Sequence, residues 1–204
     1  MTKQIVSLTG RMLGALLYYA PDDERNAELL SQLRQHDWYQ MWPCGDAEQI
    51  AIAAQQINDG LQTGYDEKLS DAWQKLFIGP YALPAPPWGS VYLDRENVLF
   101  GDSTLALREW LRQQGIEPQS EQRDPEDHIG LMLMLAAWCA ENQPDGVPVL
   151  LSEHLLPWAM RYLELLEQGA EHPFYQGLAV LTRTTLLDWQ GRYQITLTER
   201  TLFY

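Results

Sequence analysis

The sequence predicts an all-α protein, and three observations support this class. Apolar residues recur at i, i+3, i+4 spacing in successive segments, as they do on one face of a helix. Gly and Pro separate these segments, at points where helices end and begin. No segment shows the alternation of strand and helix that a βαβ unit requires. We therefore expect residues 1–204 to form a single domain, an irregular bundle of roughly eight to ten helices with a long proline-rich aromatic loop.

Four helices are predicted before residue 80. Pro21 ends the first of them, and Gly79-Pro80 ends the fourth. Asp22 or Asp23 would cap the second helix and Asp46 the third, because a short carboxylate accepts hydrogen bonds from free N–H groups. The apolar faces consist of Ile5, Leu8, Met12, Leu16 and Tyr19; Ala27, Leu30 and Leu33; Ile50, Ala54, Ile57 and Leu61; and Leu69, Trp73, Leu76 and Phe77.

Residues 79–100 are predicted to form the long loop. Four prolines within the first nine residues exclude a regular helix there. The loop is nevertheless rich in apolar and aromatic side chains, and long loops of this kind are often functional. Residues 90–93 are compatible with an extended backbone, although not with a sheet.

Helices resume after this loop. Asp102 or Ser103 would cap the next one, which a polar link over residues 117–123 follows. Asp124 and Pro125 are expected to start another helix, since a capping acid followed by proline is a helix-start signal. Further helices are predicted to begin at Pro148 and Pro173, and Pro157 is expected to begin or kink another. Residues 195–204 are expected to be extended or simply packed.

The charge of the chain narrows the classes of partner. Twenty-eight acidic against fourteen basic residues give a net charge of −14. Nonspecific binding to nucleic acid or to anionic membranes needs clustered Lys and Arg, so both are disfavoured and a basic partner is favoured. The eight Trp and ten Tyr supply large, rigid contact surfaces for a core or for recognition.

Targeting signals and thiols indicate a cytoplasmic protein. The longest apolar run free of helix breakers, residues 131–140, is too short for a membrane span. The first residues lack the pattern of a secretory signal. Cys44 and Cys139 form no CxxC motif and are expected to be reduced, partly buried thiols.

No motif for catalysis, nucleotides or metals is found. Phosphate-binding glycine loops, HExxH, GxSxG and SxxK are absent from the sequence. The four histidines do not share a helix face at i, i+4 spacing, which disfavours a compact zinc site. The chain is therefore expected to be no enzyme and to hold no metal or cofactor.

Three groups of residues remain as candidate sites. Asp127-His128 would bind a guanidinium or shuttle a proton, or else would be an ordinary helix start with a neutral imidazole. The acids from Glu117 to Asp127, five carboxylates against Arg123, would attract arginines or form a solvated face. The third group would form an apolar peptide groove, or else the buried stripe of a helix and its cover: Trp73, Leu76, Phe77, Tyr81, Pro87 and Trp88.

Three stretches of the sequence resemble the TorD/DmsD family. They are residues 13–21 (LGAL followed by YYAP), the run AWQKLFIGPYALPAPPWGSVYLDRENVLFGDSTLALREW over residues 72–110, and PEDHIG over residues 125–130. The likeness extends over nearly the whole chain and is strongest to the branch that serves dimethyl sulfoxide reductase. The family consists of cytoplasmic maturation chaperones for molybdoenzymes exported by the twin-arginine route.

The resemblance implies an all-helical chaperone that binds the twin-arginine leader of a molybdoenzyme catalytic subunit. It would delay export until the cofactor is inserted, and it would catalyse nothing. The translocon and cofactor-loading proteins are possible further partners. A monomer is expected, with a domain-swapped dimer possible through residues 117–123. The family's binding positions fall on Trp73, Leu76, Phe77, Pro87, Trp88, Gly101, Asp127 and His128, and less firmly on Tyr18, Arg95 and Tyr81, which stands where relatives often have Trp.

Charged and apolar residues would recognise different parts of such a leader. Asp127 and Glu126 would pair with its guanidinium groups, and the aromatic stripe would hold its apolar stretch. Two other functions stay open at this point. One is a general chaperone for apolar peptides that does not need arginines, and the other is a small hydrolase that uses Asp127 and His128.

Overall fold

A computed structural model describes residues 1–62, 67–117, 124–197 and 200–204, and these residues confirm the all-α class. Within them the β-structure is limited to one isolated bridge. Short 3₁₀ turns cover Trp38–Met41 and Pro144–Gly146, and π-helical turns cover Gln74–Ile78 and Leu150–Leu155. The α-helices are α1 (Thr2–Tyr18), α2 (Glu24–Leu33), α3 (Ala47–Gly60), α4 (Leu69–Trp73), α5 (Gly89–Leu93), α6 (Asp102–Gln113), α7 (Ile129–Asn142), α8 (Val147–Val149), α9 (Leu156–Gly169) and α10 (Pro173–Arg192).

Helix α1 packs against α7 at very close range. A Cβ atom on Gly14 would lie 2.7 Å from the Gly130 carbonyl oxygen, and one on Gly130 would lie 2.8 Å from the Gly14 carbonyl oxygen. Each glycine therefore gives the opposite backbone room to approach. This contact fixes the start of α7, where two of the candidate residues lie.

Helix α10 is the centre of the bundle and packs on α3 and α9. One continuous cluster of buried side chains runs from α1 to α10. Its largest members are aromatic, and Trp158, Tyr162, Tyr175 and Trp189 are at most 1% exposed. Much of the aromatic content noted in the sequence therefore stabilises the core.

Several predicted helix boundaries are confirmed. The Asp23 carboxylate accepts a hydrogen bond from the Arg25 N–H, and the Asp46 carboxylate accepts one from the Gln49 N–H. The helix predicted through Phe77 ends at Gly79, whose φ of 109° favours glycine. Prolines occupy the first turns of α8, α9 and α10, as predicted from Pro148, Pro157 and Pro173.

Three local predictions are wrong. Residues 90–93 belong to helix α5 and are not extended, because the distant Asp127 satisfies the first N–H groups of that helix: its carboxylate accepts from the Ser90 N–H and its backbone carbonyl from the Gly89 N–H. The cap of α6 is Gly101 rather than Asp102 or Ser103. Helix α7 starts at Ile129 with His128 as its cap, and Asp124-Pro125 lies in the turn before it, where the His128 N–H donates to the Pro125 carbonyl.

Two further regions bear on the sequence predictions. Of the link predicted as a hinge, residues 118–123 lie outside the described residues. The described residues from 195 onwards form no regular structure and pack on the bundle, and the Phe203 N–H donates to the Tyr92 carbonyl at 2.9 Å. Among the helices in the described ranges, none has the length and apolar character needed to cross a membrane.

Candidate functional site

The proline-rich loop and the Asp127-His128 turn are joined by a short antiparallel bridge. The Gly89 N–H donates to the Asp127 carbonyl at 3.1 Å, and the Ile129 N–H donates to the Pro87 carbonyl at 2.8 Å. The bridge pairs Trp88 with His128. Four of the predicted site residues therefore lie together, although the segments that carry them are about forty residues apart in the chain.

The Asp127 carboxylate is buried and hydrogen-bonded within the protein. It is 4% exposed, and its Oδ2 accepts hydrogen bonds from the Ser90 N–H at 2.6 Å and the Thr104 hydroxyl at 3.1 Å. Its Oδ1 is buried and has no hydrogen-bond partner among the described residues. Burial raises the pKa of Asp127, while the bonds from Ser90 and Thr104 lower it in part. Asp127 thus caps α5 and links it to α6, in place of starting its own helix.

His128 is a neutral, buried cap of α7. Its Nδ1 accepts from the Gly130 N–H at 3.1 Å, and its ring meets Tyr18 edge-on with the ring centres 5.0 Å apart. Trp88 lies on another side, 5.9 Å from the imidazole centre. Burial lowers the pKa of His128 to about 3, so the ring is uncharged at neutral pH. The neutral state agrees with the interpretation drawn from the sequence.

Asp127 and His128 do not form a catalytic pair in this arrangement. Each has its own hydrogen-bond partners, and none of the hydrogen bonds recorded for the described residues joins the carboxylate to the imidazole. A general base needs a partner that orients it toward the proton it accepts. The geometry therefore gives no support to a hydrolase.

Glu126 and Gly101 have local partners of their own. The Glu126 carboxylate accepts from Arg108 Nε at 2.7 Å, and the Arg108 guanidinium lies 5.1 Å from the centre of the Phe100 ring. Gly101 begins α6 beside the Asp94 carboxylate, which accepts from the Ser103 N–H and hydroxyl. Glu126 is partly exposed and remains accessible to a cation, at the cost of its bond to Arg108.

Trp73, Leu76 and Phe77 lie together at the other end of the proline-rich loop. Leu76 and Phe77 are each 5% exposed, and Trp73 stacks on Phe77 with the ring centres 6.1 Å apart. Phe77 also contacts Tyr175 of the central helix. For Leu76 and Phe77, the interpretation as a buried stripe describes the packing.

A groove of about 620 Å3 opens beside this stripe. Ala72 and Leu76 line it from the helix, and Pro80, Tyr81 and Pro84 line it from the loop. Tyr81 is 86% exposed, so its ring is available to a ligand. The groove has a mainly apolar lining, and its volume is large enough to take several side chains of a peptide.

The rim of this groove is acidic. Glu67, Asp71 and Glu171 lie along it with a single lysine, Lys75. The Lys75 ammonium lies 2.6 Å from Glu67 and 3.7 Å from Glu171, so of these three acids Asp71 is the one without an ion pair recorded among the described residues. No sequence pattern predicts this cluster of acids, because Glu171 is far from the others in sequence and nothing local connects them.

A second, smaller cavity of about 100 Å3 lies at the bridge end of the loop. Asp127 lines it together with Glu153, His154 and Arg200. Burial lowers the pKa of His154. The lining residues of the groove and of the cavity do not overlap, and the loop over residues 79–89 runs from one to the other.

The structure thus groups the predicted site residues in two places. Pro87 and Trp88 meet Asp127 and His128 at the bridge, whereas Leu76 and Tyr81 line the groove. Tyr18 packs on His128, while Arg95 is exposed after α5. Groups of three or more His, Cys, Asp or Glu side chains suited to a metal ion are not found in the described ranges.

Comparisons with known proteins show the family of the chain. Residues 45–164 match the family model described as nitrate reductase delta subunit. The Tat proofreading chaperone DmsD of Salmonella typhi is 50% identical over 198 residues, which make up 97% of this chain and 95% of the relative. A Haemophilus influenzae protein designated "Probable Tat proofreading chaperone DmsD" is 48% identical over 93% of this chain and 92% of its own length.

A solved structure shows the same fold. A candidate redox enzyme maturation protein of Archaeoglobus fulgidus superposes with a TM-score of 0.57 over 92% of this chain and 94% of that one. The two sequences are 20% identical, so this likeness concerns the fold alone.

Proposed function

Because this chain belongs to the TorD/DmsD family of redox-enzyme maturation chaperones, we propose that it binds the twin-arginine leader of a molybdoenzyme catalytic subunit. The members of this family are chaperones and not enzymes. Binding would hold the partner back from export until its cofactor is inserted and it has folded. Dimethyl sulfoxide reductase is the partner that the DmsD relatives favour.

The acidic groove beside α4 is the observation that supports this function best. A twin-arginine leader combines two guanidinium groups with an apolar stretch, and the groove combines an acidic rim with an apolar lining. The net charge of −14 favours the approach of such a cationic peptide over long distances. The apolar lining and the acidic residues of the groove therefore suit the same ligand.

Apolar contact supplies most of the affinity in this proposal. Each leucine-sized side chain buried against Leu76 and Tyr81 contributes about 1.5–3 kcal/mol before the cost of ordering the peptide. A rim ion pair open to water contributes only about 0–1 kcal/mol. The carboxylates would thus determine approach and selectivity more than strength.

The residues proposed from the sequence divide into three groups with different roles. Tyr81 and Leu76 would contact the peptide directly, and Trp73 and Phe77 would support them from below. A third group would hold the loop and the adjoining helices in position, with Glu126 as a further acid for the arginines: Pro87, Trp88, Gly101, Asp127 and His128.

The compartment, the oligomeric state and the further partners are part of the same proposal. The chaperone would act in the cytoplasm as a monomeric single domain, without a cofactor. The translocon and cofactor-loading proteins would be its further partners, and a domain-swapped dimer would form only by exchange about residues 117–123. The continuous core from α1 to α10 favours a single domain.

The test uses two exposed residues that can be changed without disturbing the core. Tyr81 and Met41 are each 86% exposed, and Met41 lies away from the groove. We expect Tyr81→Ala to weaken binding of a synthetic twin-arginine leader about tenfold in calorimetry, and Met41→Ala to leave it unchanged. Equal affinity for all three proteins would contradict the groove assignment.

A second peptide separates this function from a general peptide chaperone. Replacing both arginines of the leader by alanine should weaken binding to the parent protein, while the apolar stretch stays the same. If the alanine peptide binds as tightly as the original at low salt, the chain is a chaperone for apolar peptides that does not read arginines. If neither peptide binds, leader recognition itself is excluded.

A further inference from the structure

Lys75 is the only Lys or Arg among the described residues that line the groove, and its ammonium contacts two of the rim acids. It lies 2.6 Å from the Glu67 carboxylate and 3.7 Å from that of Glu171. The bond to Glu67, and to a smaller extent the contact with Glu171, raises the pKa of Lys75. His172 also lines the groove, but burial lowers its pKa, so its imidazole is neutral at neutral pH. Lys75 is therefore the resident cation of the groove.

The Lys75 ammonium can leave these acids without disturbing the core. The side chain of Lys75 is 62% exposed, and that of Glu171 is 83% exposed. Lys75 belongs to the π-helical turn Gln74–Ile78, in which the buried Leu76 and Phe77 make the contacts with the core. An ion pair this open to water is weak, and the four-carbon stem of lysine is flexible. A competing cation can therefore displace the ammonium.

The rim has fewer unpaired carboxylates than a twin-arginine leader has guanidinium groups. Of the three rim acids, only Asp71 has no ion pair recorded among the described residues. One guanidinium can therefore approach an open carboxylate, whereas the second has to compete with Lys75 for Glu67 and Glu171. A guanidinium is suited to this exchange, because its planar array of donors can bind a carboxylate at two points.

We propose that Lys75 is a built-in counterion of the groove, which an arginine of the leader displaces from Glu67 and Glu171. This inference rests on the proposed function and gives Lys75 a role in regulating the affinity of the same site. In the free protein the ammonium neutralises two carboxylates that would otherwise repel each other. In the complex the ion pairs of Lys75 are broken, which reduces the net contribution of the arginines to binding. Lys75 thereby keeps the complex reversible.

Removal of the counterion should tighten leader binding. We expect Lys75→Met to bind a synthetic twin-arginine leader about threefold more tightly than Lys68→Met in calorimetry at low salt, because no ion pair of Lys75 has to be broken. Lys68 is the matched control, since it is exposed, lies close to Lys75 in the chain and does not line the groove. Both variants lose the same charge, so the comparison removes the effect of net charge.

A peptide without arginines separates competition from a change in the apolar surface. The leader with both arginines replaced by alanine does not displace the ammonium, so it should bind equally to Lys75→Met and Lys68→Met. The difference between the two peptides measures the coupling between Lys75 and the arginines of the leader. Equal affinity of the original leader for both variants, or an equal gain for both peptides, would overturn the inference and leave the proposed function intact. A parent protein that binds no leader would overturn the proposed function.

Amine labelling tests the position of the ammonium in the free protein. The chain contains three lysines, Lys3, Lys68 and Lys75, so the extent of labelling can be read at each of them by mass spectrometry. We expect Glu67→Gln to raise the labelling of Lys75 relative to Lys3 at least about twofold, because loss of this partner leaves more of the amine unprotonated. Glu48→Gln in α3 is the control and should leave the ratio unchanged. An unchanged ratio in Glu67→Gln would show that the rim does not hold Lys75, and would overturn the inference.

Discussion

The carboxylate of Asp94 lies where a side chain at Gly101 would have to be. Asp94 accepts from the Ser103 N–H at 3.2 Å and from the Ser103 hydroxyl at 2.7 Å, and so satisfies the start of α6. Gly101 is thus needed for the close approach of a capping carboxylate. Its backbone, with a φ of −72°, is one that any residue adopts.

Gly101→Ala should therefore destabilise the fold through the loss of this cap. We expect the free energy of unfolding to fall by about 1–2 kcal/mol in urea denaturation, the usual effect of removing a helix cap. Gly191→Ala in α10 is the matched control, since a Cβ there has nothing within 4 Å. That variant should be neutral or slightly more stable, because alanine favours a helix. A loss of the same size in both variants would contradict the role of Asp94 as the cap of α6.

Asp127→Ala should lower the free energy of unfolding, because the Asp127 carboxylate accepts two hydrogen bonds in the interior. The change leaves the Ser90 N–H and the Thr104 hydroxyl without their acceptor in the interior, and each such loss costs about 1–3 kcal/mol. Asp37→Ala is the control, because Asp37 is exposed and makes no capping bond. Urea denaturation should show a clear loss for the first variant and none for the second. A fully stable Asp127→Ala protein would mean that these hydrogen bonds contribute little.

His128 should make the fold less stable as the pH falls below 6.5. Burial lowers its pKa to about 3 in the folded state, so between pH 3 and pH 6.5 the unfolded chain binds the proton and the folded chain does not. Stability from this group is complete above pH 6.5, and about 2 kcal/mol of it is lost on going to pH 5.

His128→Asn isolates this contribution, since asparagine can still cap α7 but does not titrate. The difference in unfolding free energy between parent and variant should therefore shrink from pH 7 to pH 5. Burial also lowers the pKa of His154 and His172, and their effect cancels in this difference. A difference that does not vary with pH would exclude a buried, neutral His128.

The salt dependence of leader affinity should distinguish the contribution of the rim acids from that of the apolar lining. Asp71→Asn removes a charge that has no recorded ion pair in the described chain, so we expect a weaker salt dependence of leader affinity between low and physiological ionic strength. Tyr81→Ala should lower affinity at every salt concentration by a similar factor, because apolar burial is hardly screened. Identical salt slopes for the parent and Asp71→Asn would exclude a role for the rim.

Local signals predicted the helices well, and long-range contacts account for the errors. Asp23 and Asp46 cap the helices that follow them directly, so their role is visible in a few residues of sequence. Asp127 caps α5 instead of its own helix, across 37 residues, and no local pattern reveals this. The same contact explains why residues 90–93 are helical.

The candidate site was predictable in part for the same reason. The stripe around Leu76 and the exposed Tyr81 follow from spacing and from the prolines. The acidic rim depends on Glu171, which only the fold brings beside Glu67 and Asp71. No local sequence pattern marks such a meeting, since a charged residue at a helix end is usually a solvated one.

The bridge between Trp88 and His128 fixes one end of the proline-rich loop. Backbone hydrogen bonds at Gly89 and Ile129 hold the fixed end in register with α7. At the other end, Gly79 is free of such pairing to another segment in the described chain, and the exposed Tyr81 follows it. A ligand of different bulk bound at the Tyr81 end would therefore leave the bridge, and with it the start of α7, in register.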